Sequence, residues 1–453
     1  MKAIELRLSS GLLAGAVVVS VAVACSRNDS ATGSGQGQGA AGGSGAGGSG
    51  SSSSGSGGAS NGSDAGSDAG SDADADAPPT CITPTTPQAC AAPVMTALPI
   101  CSLSLTGCMD PTTPTSIVSS AISYEVNSPL WSDDAAKSRA FVLPPGGKIH
   151  VKNCGPTATP TELLECISPM CVPQGPAETG TWVFPVGTVM IKNFLFDGKL
   201  VETRLLMHVD AATAALIQNG TDWVGYNYAW NEAQTEAVIV PNTRTAVSFD
   251  TGTQTVEWHY PSFTDCIACH SAATGTLGPE TDQMNRTVNG TNQIDAFKAK
   301  GLFDATAPVA PYAEAQVEPY ANAALGLTGP PAGATLDQMA RSYLAANCGF
   351  CHRPDVNDQG FDLRYSLPLH DTQICNLQEQ NGIPGMALVP YADLAPGDHA
   401  SSAMWLRMNI PIAASDPQEM TNVGRMPSVG SYLVDPQAIT LIGQWIDSIK
   451  TCP

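Results

Sequence analysis

The pentad Cys-x-x-Cys-His occurs twice, as CIACH at 266–270 and CGFCH at 348–352, and this repetition limits both the chemistry and the architecture open to the chain. Two thiols separated by two residues can each add to one vinyl group on a porphyrin edge. The histidine that follows then lies beneath the iron as its axial ligand. Zinc is the main competing use, and it would want four ligands, commonly two such cysteine pairs brought together. A dithiol redox pair is a third use, but it leaves the histidine unexplained in both copies. The spacing predicts two covalently attached haem c groups, one on Cys266 and Cys269 and one on Cys348 and Cys351, with His270 and His352 as iron ligands.

The segments around the motifs predict an α+β chain. Between residues 111 and 330 the signal is mainly strand: TWVFPVGTVMIKNFLFDGKLVETRLLMHV has β-branched and aromatic runs on both sides of Asp197-Gly198, a dipeptide that favours a tight hairpin turn. WVGYNYAWN and TVEWHYP alternate in the same manner, and their aromatic residues read as sheet core. This part is expected to be an antiparallel β domain carrying the first motif at its edge. From 331 to 453 the signal is helix. Thr335 can cap LDQMARSYLAANC, with Leu336, Met339, Tyr343 and Leu344 on one face, and Asp435-Pro436 can open PQAITLIGQWIDSIK with a stripe of Ile439, Ile442, Ile446 and Ile449. A helix leading into the second motif and a closing helix with an aromatic near its end are the organisation of a cytochrome c-like helical domain.

The N-terminus reads as an export signal over residues 1–24, with Lys2 and Arg7 before the apolar run LLAGAVVVSVAVA. AVAC at 22–25 resembles a bacterial lipobox, which implies a lipid anchor at Cys25; a plain secretory signal is the other reading. From 25 to 79 the chain is almost wholly Gly, Ser, Ala and Asp, too poor in apolar groups to offset the entropy of ordering, so a disordered tether is expected. Over residues 31–79 its random-coil reach is roughly 40 Å. The formal charge of −21, from 20 basic and 41 acidic residues, excludes a basic footprint for nucleic acid.

Fourteen cysteines suit an oxidising compartment. Setting aside Cys25 and the four in the motifs leaves Cys81, Cys90, Cys101, Cys108, Cys154, Cys166, Cys171, Cys375 and Cys452. In the Cys-rich segment 80–110, Cys81 with Cys90 and Cys101 with Cys108 would make short local staples. The remaining number is odd, so at least one cysteine is free or paired elsewhere.

Beyond the motifs, YEVNSPLWSDDAAKSR, GTWVFPVGTVMIKNF, LVETRLLMH, WVGYNYAWN, YPSFTDCIACH, LGPETDQMN and RSYLAANCGFCHRP occur in an order that resembles a family of exported bacterial dihaem c-type cytochromes, some of them linked to quinoprotein-like sugar dehydrogenases. The likeness covers roughly residues 115–450. It implies electron transfer between exported redox partners, a quinoprotein dehydrogenase or another cytochrome, in the periplasm or at the outer membrane.

A sixth ligand sets what each iron can do. Met426, in GRMPSVG, follows His352 by 74 residues, and a late-loop methionine before proline suits the axial sulfur of the second haem. Met404 and Met408 read as helix core. For the first haem the preferred ligand is His208, at the end of LVETRLLMH, where the resembling sequences tend to show a histidine; His259, Met284 and Met339 are alternatives. Two six-coordinate haems make an electron relay, whereas one open iron with His208, His259 or Glu257 beside it would make a dihaem peroxidase-like enzyme. An electron-outlet subunit of a periplasmic dehydrogenase is the third reading. His150, His370 and His399 read as ordinary surface residues.

Overall fold

A computed structural model describes residues 80–90, 98–167, 174–217, 221–242, 245–271, 274–354, 356, 360–380, 382–383, 386, 391–411 and 424–452. The expected signal, tether, Cys25 and Cys171 lie outside them. The chain from Ala77 to Pro453 forms one compact unit, and it is α+β.

Its centre is an antiparallel meander of six strands: β1 (Ile122–Ser123), β2 (Ala136–Val142), β3 (Val189–Phe196), β4 (Lys199–His208), β5 (Trp223–Trp230) and β6 (Ala237–Ile239), paired in that order. The β3–β4 hairpin turns at Asp197 and Gly198, as the dipeptide predicts. Both residues have positive φ, 49° and 80°, the backbone twist that matches two flanking strands. TVEWHYP does form a strand, β8 (Thr255–Tyr260), but it pairs with β7 (Thr245–Asp250) in a separate hairpin.

Side-chain alternation gives the meander two different faces. On one, Val189, Ile191, Leu205, Met207, Val224, Tyr228 and Trp230 form a core with Leu103, Cys108 and Met109 of the Cys-rich segment. On the other, Phe141, Met190 and Leu206 lead into one apolar cluster and Phe194 and Val201 into a second, with Trp258 and Tyr260.

The two predicted helices form where expected. The α-helix Leu336–Asn347 begins at Thr335, whose hydroxyl accepts from Gln338 N while the Gln338 side chain accepts from Thr335 N. The closing helix Pro436–Ser448 is capped by Asp435, which accepts from Gln437 N and Ala438 N. Its buried face is centred on Ala438, Ile442, Trp445 and Ile446, and the outer members of the predicted stripe, Ile439 and Ile449, are only partly buried. Trp445 donates its indole N–H to Asp337 at 2.9 Å, which ties the two helices together.

The disulfides correct the expected local staples. Cys81 pairs with Cys101 and Cys90 with Cys108; Cys154–Cys166 and Cys375–Cys452 complete the described set. A parallel bridge between Ile82 and Ile100 holds the two segments together, and the Cα atoms of Cys81 and Cys101 lie 5.1 Å apart, within disulfide reach. Non-reducing peptide mapping should therefore recover 81–101 and 90–108 links and no 81–90 link. The Cys375–Cys452 link spans 77 residues, so Cys375→Ser/Cys452→Ser should lose about 4.5 kcal/mol in chemical denaturation, by the loop-entropy relation.

Candidate haem attachment sites

The first motif sits on a short helix, Phe263–Cys269. Ser262 caps it by accepting from Asp265 N, and the Asp265 carboxylate accepts from Ser262 N in return. Cys266 and Cys269, three residues apart, share a helix face. That face is pressed against β5 at Gly225, where a Cβ would stand 3.3 Å from the Cβ and Sγ of Cys266, so the approach suits glycine. His270 follows as the C-cap and donates from Nδ1 to the Gly275 carbonyl at 2.8 Å. Burial brings its pKa down to about 4. The ring is thus a neutral imidazole with Nδ1 protonated, and its Nε2 lone pair is left for a metal, since a carbonyl that accepts from one ring nitrogen fixes which nitrogen can ligate.

The second motif begins where the helix Leu336–Asn347 ends. Cys348 is the C-cap, its N–H bonded to the Leu344 carbonyl at 2.8 Å. Gly349 follows where a Cβ would fall 2.9 Å from both the Ala345 and Leu363 carbonyl oxygens. The His352 ring stacks on Phe361 at 4.6 Å and 11°. Burial takes its pKa to about 4 as well, and its Nδ1 is buried without a hydrogen-bond partner. Cys348 and Met426 line one small cavity, together with Trp131, Tyr343, Met408 and Arg425.

The motifs, about eighty residues apart in sequence, meet in space. Cys351 Sγ lies 4.0 Å from the carbonyl oxygen of Ala268, and the Cys351 thiol is close enough to Cys269 to raise that thiol's pKa. All four motif cysteines are unpaired thiols, whereas the other eight described cysteines are in disulfides. Burial pushes the Cys266 thiol up to about 11 and the Cys348 thiol up to about 12. Among the described residues, no group of three or more His, Cys, Asp or Glu side chains is arranged to hold a metal ion. The donors present, two thiols beside one neutral imidazole in each motif, fit a haem attached through its edge.

The expected sixth ligands differ in placement. Met426 is at the second motif's cavity, its N–H donating to Arg407 O at 3.2 Å. Arg407 in turn donates to Gly424 O and forks onto Glu379. His208 is near the first motif but committed: its Nδ1 is 2.8 Å from Phe184 O, its Nε2 2.9 Å from Asp222 Oδ2, and its ring stacks on Trp223. Ligation by His208 would require release of the Asp222 carboxylate. His259 has its Nδ1 buried without a partner, and its ring stacks on Tyr432 at 3.6 Å, so it faces the loop that follows Met426. Met284 is fully buried in a core cluster, and Met404 and Met408 pack among the helices. His150 is held between Glu165 and Asp304, His399 pairs with Asp447 and His370 with Asp371.

Three features of the site were not read from sequence. Asn347 accepts the N–H of Trp131 at 2.6 Å, and Asp133 accepts the N–H groups of Tyr432 and Leu433, so the segment before β2 braces the second motif. Glu178, 1% exposed, receives Lys152 at 2.9 Å, Arg353 at 2.6 Å and Arg364 at 3.1 Å. Burial alone would raise its carboxyl, but the three cations hold it below its ordinary range. Third, β2, β3 and β4 align basic residues opposite the first motif. Of these, only the last had a sequence signal, the lone basic residues within otherwise apolar strands.

No protein-family model, curated protein or solved structure matches the chain. Glu178→Gln would leave Arg353 and Arg364 buried without their shared carboxylate. It should destabilise the protein by roughly 3–5 kcal/mol in urea unfolding, because a broken buried ion pair strands its partner's charge.

Proposed function

We propose that the protein is a dihaem c-type cytochrome that passes electrons between exported redox partners. The observation that carries this reading is the sorting of cysteines: four are unpaired thiols, each pair followed by a partly buried histidine whose pKa is lowered, whereas the other described cysteines are in disulfides. When bound, each haem supplies an iron that gains or loses one electron. Cys266, Cys269, Cys348 and Cys351 would hold the two groups by thioether bonds, and His270, through Nε2, and His352 would bind the irons. Gly275 fixes the tautomer of His270. Met426, lining the cavity with Cys348, offers a thioether as sixth ligand, which favours the ferrous state. The helix entering the second motif and the closing helix packed on it support a cytochrome c-like domain there. Contact between Cys269 and Cys351 supports a relay, since electron exchange falls steeply with separation and the two sites adjoin. A lipid anchor at Cys25 and a dehydrogenase or cytochrome partner remain part of this reading.

A second reading, a peroxidase-like enzyme with one open iron, is favoured by His208, whose two ring nitrogens are both engaged. The two readings differ in what the first iron will bind.

Covalent attachment is checked by mass and by staining. Protein from a host that matures c-type cytochromes should exceed its processed chain by two haems and keep haem stain on a denaturing gel. Cys348→Ala/Cys351→Ala should carry one haem; a colourless, zinc-loaded protein would overturn the reading.

The sixth ligands are checked optically. Met426→Ala should lose a weak red charge-transfer band and lower the potential of the second haem alone. In a relay, wild type binds neither cyanide nor carbon monoxide readily. Uptake of either at the first haem, with turnover of peroxide by a reduced donor, would favour the enzyme.

A further inference from the structure

Three neighbouring strands carry a basic residue at one level. Arg139 on β2 is directly opposite Lys192 on β3, and Lys192 is directly opposite Arg204 on β4, so all three side chains stand on one face of the sheet. Lys137, two residues from Arg139, is on that face too. Like charges directly opposite destabilise a sheet, and this chain has only 20 basic residues against 41 acidic ones. Glu202 compensates Arg204, meeting it at 2.9 and 2.8 Å. Among the described residues, the Arg139 and Lys192 side chains form no ion pair or hydrogen bond; Lys192 rests over the Phe194 ring at 5.1 Å.

The row also has an orientation. Gly225 and Asn227 on β5, paired with Leu206 and Arg204, share the face, and Cys266 lies against Gly225. Arg204 is within electrostatic range of Cys266 and Cys269, and Lys192 of Cys269 and His270. Apolar clusters bound the row on both sides, Phe141, Met190 and Leu206 on one and Phe194 with Val201 on the other. A charged belt between two apolar patches, beside an attachment motif, is arranged for a ligand with an apolar body and anionic arms.

We propose that the Arg139–Lys192–Arg204 row is a binding site for carboxylate groups at the first motif. The carboxylates are the propionate arms of the porphyrin or those of a free small acid; the first source rests on the haem reading above. Either would supply Arg139 and Lys192 with the directly bonded carboxylate that only Arg204 has, in Glu202, through charge-assisted hydrogen bonds to a forked guanidinium and an ammonium.

The test uses full-length, haem-loaded protein. If porphyrin carboxylates sit on the row, Lys192→Gln should lower the thermal midpoint and the potential of the first haem, leave the second haem's potential unchanged, and be rescued by Lys192→Arg. Arg139→Gln, at the far end of the row, should act in the same direction and serves if Lys192→Gln fails to fold. If a free acid is the ligand, succinate titrated calorimetrically into wild type should bind once, and about tenfold more weakly to Lys192→Gln, the loss of one charge-assisted bond. The proposal is overturned if both variants keep the first haem's potential, melt at or above the wild-type temperature through relief of repulsion, and wild type takes up no succinate. Mass analysis separates this from the underlying reading: no attached haem would refute the haem assignment, and the succinate result would then decide the row by itself.

Discussion

Arg353 follows the second motif's histidine directly, and its guanidinium is held 2.6 Å from Glu178, a carboxylate from the strand-rich half that is 1% exposed. Arg364 and Lys152 share the same carboxylate. A buried charge cluster of this kind is satisfied in one arrangement only, because displacement of any member strands a charge away from water. It fixes where the CGFCH segment lies against the sheet half. Asn347, which takes the Trp131 N–H, and Asp133, which takes those of Tyr432 and Leu433, act at the same junction. The meeting of Cys269 and Cys351 depends on that junction.

Placement then determines chemistry through burial. Both motif histidines are kept neutral by their surroundings, and for His270 the Gly275 carbonyl decides which nitrogen carries the proton. Burial disfavours the thiolates of Cys266 and Cys348, whereas the neighbouring Cys269 lowers the pKa of Cys351. Elsewhere, tertiary structure brings together cysteines far apart in sequence, as with Cys81 and Cys101 or Cys375 and Cys452. Among the described residues the chain thus holds two populations of cysteine, eight in disulfides and four unpaired.

Much of the local structure was legible. Asp197-Gly198 specified a hairpin turn because both positions need positive φ. Thr335 and Asp435-Pro436 specified helix starts because capping is a local hydrogen-bond matter. Met426 was picked out by its place before proline in a late loop, and it does line the cavity with Cys348. What was not legible has a common origin. Pairing Cys81 with Cys90 took nearness in sequence for nearness in space, and the engagement of both His208 nitrogens, by Phe184 and Asp222, likewise depends on residues well separated from it in sequence.

What the sequence determined alone was the chemistry of short segments: two thiol pairs each followed by a histidine, the turns, the caps and the alternation of strands. These depend on residues within a few positions of one another, so spacing is sufficient to read them. Only the tertiary structure decided that the two motifs touch, that Glu178 is shared by three cations, and that Arg139, Lys192 and Arg204 stand in one row facing the first motif. Each of these joins residues far apart in the chain. Their contact follows from strand register and from the burial of charge, quantities that only the packed fold fixes.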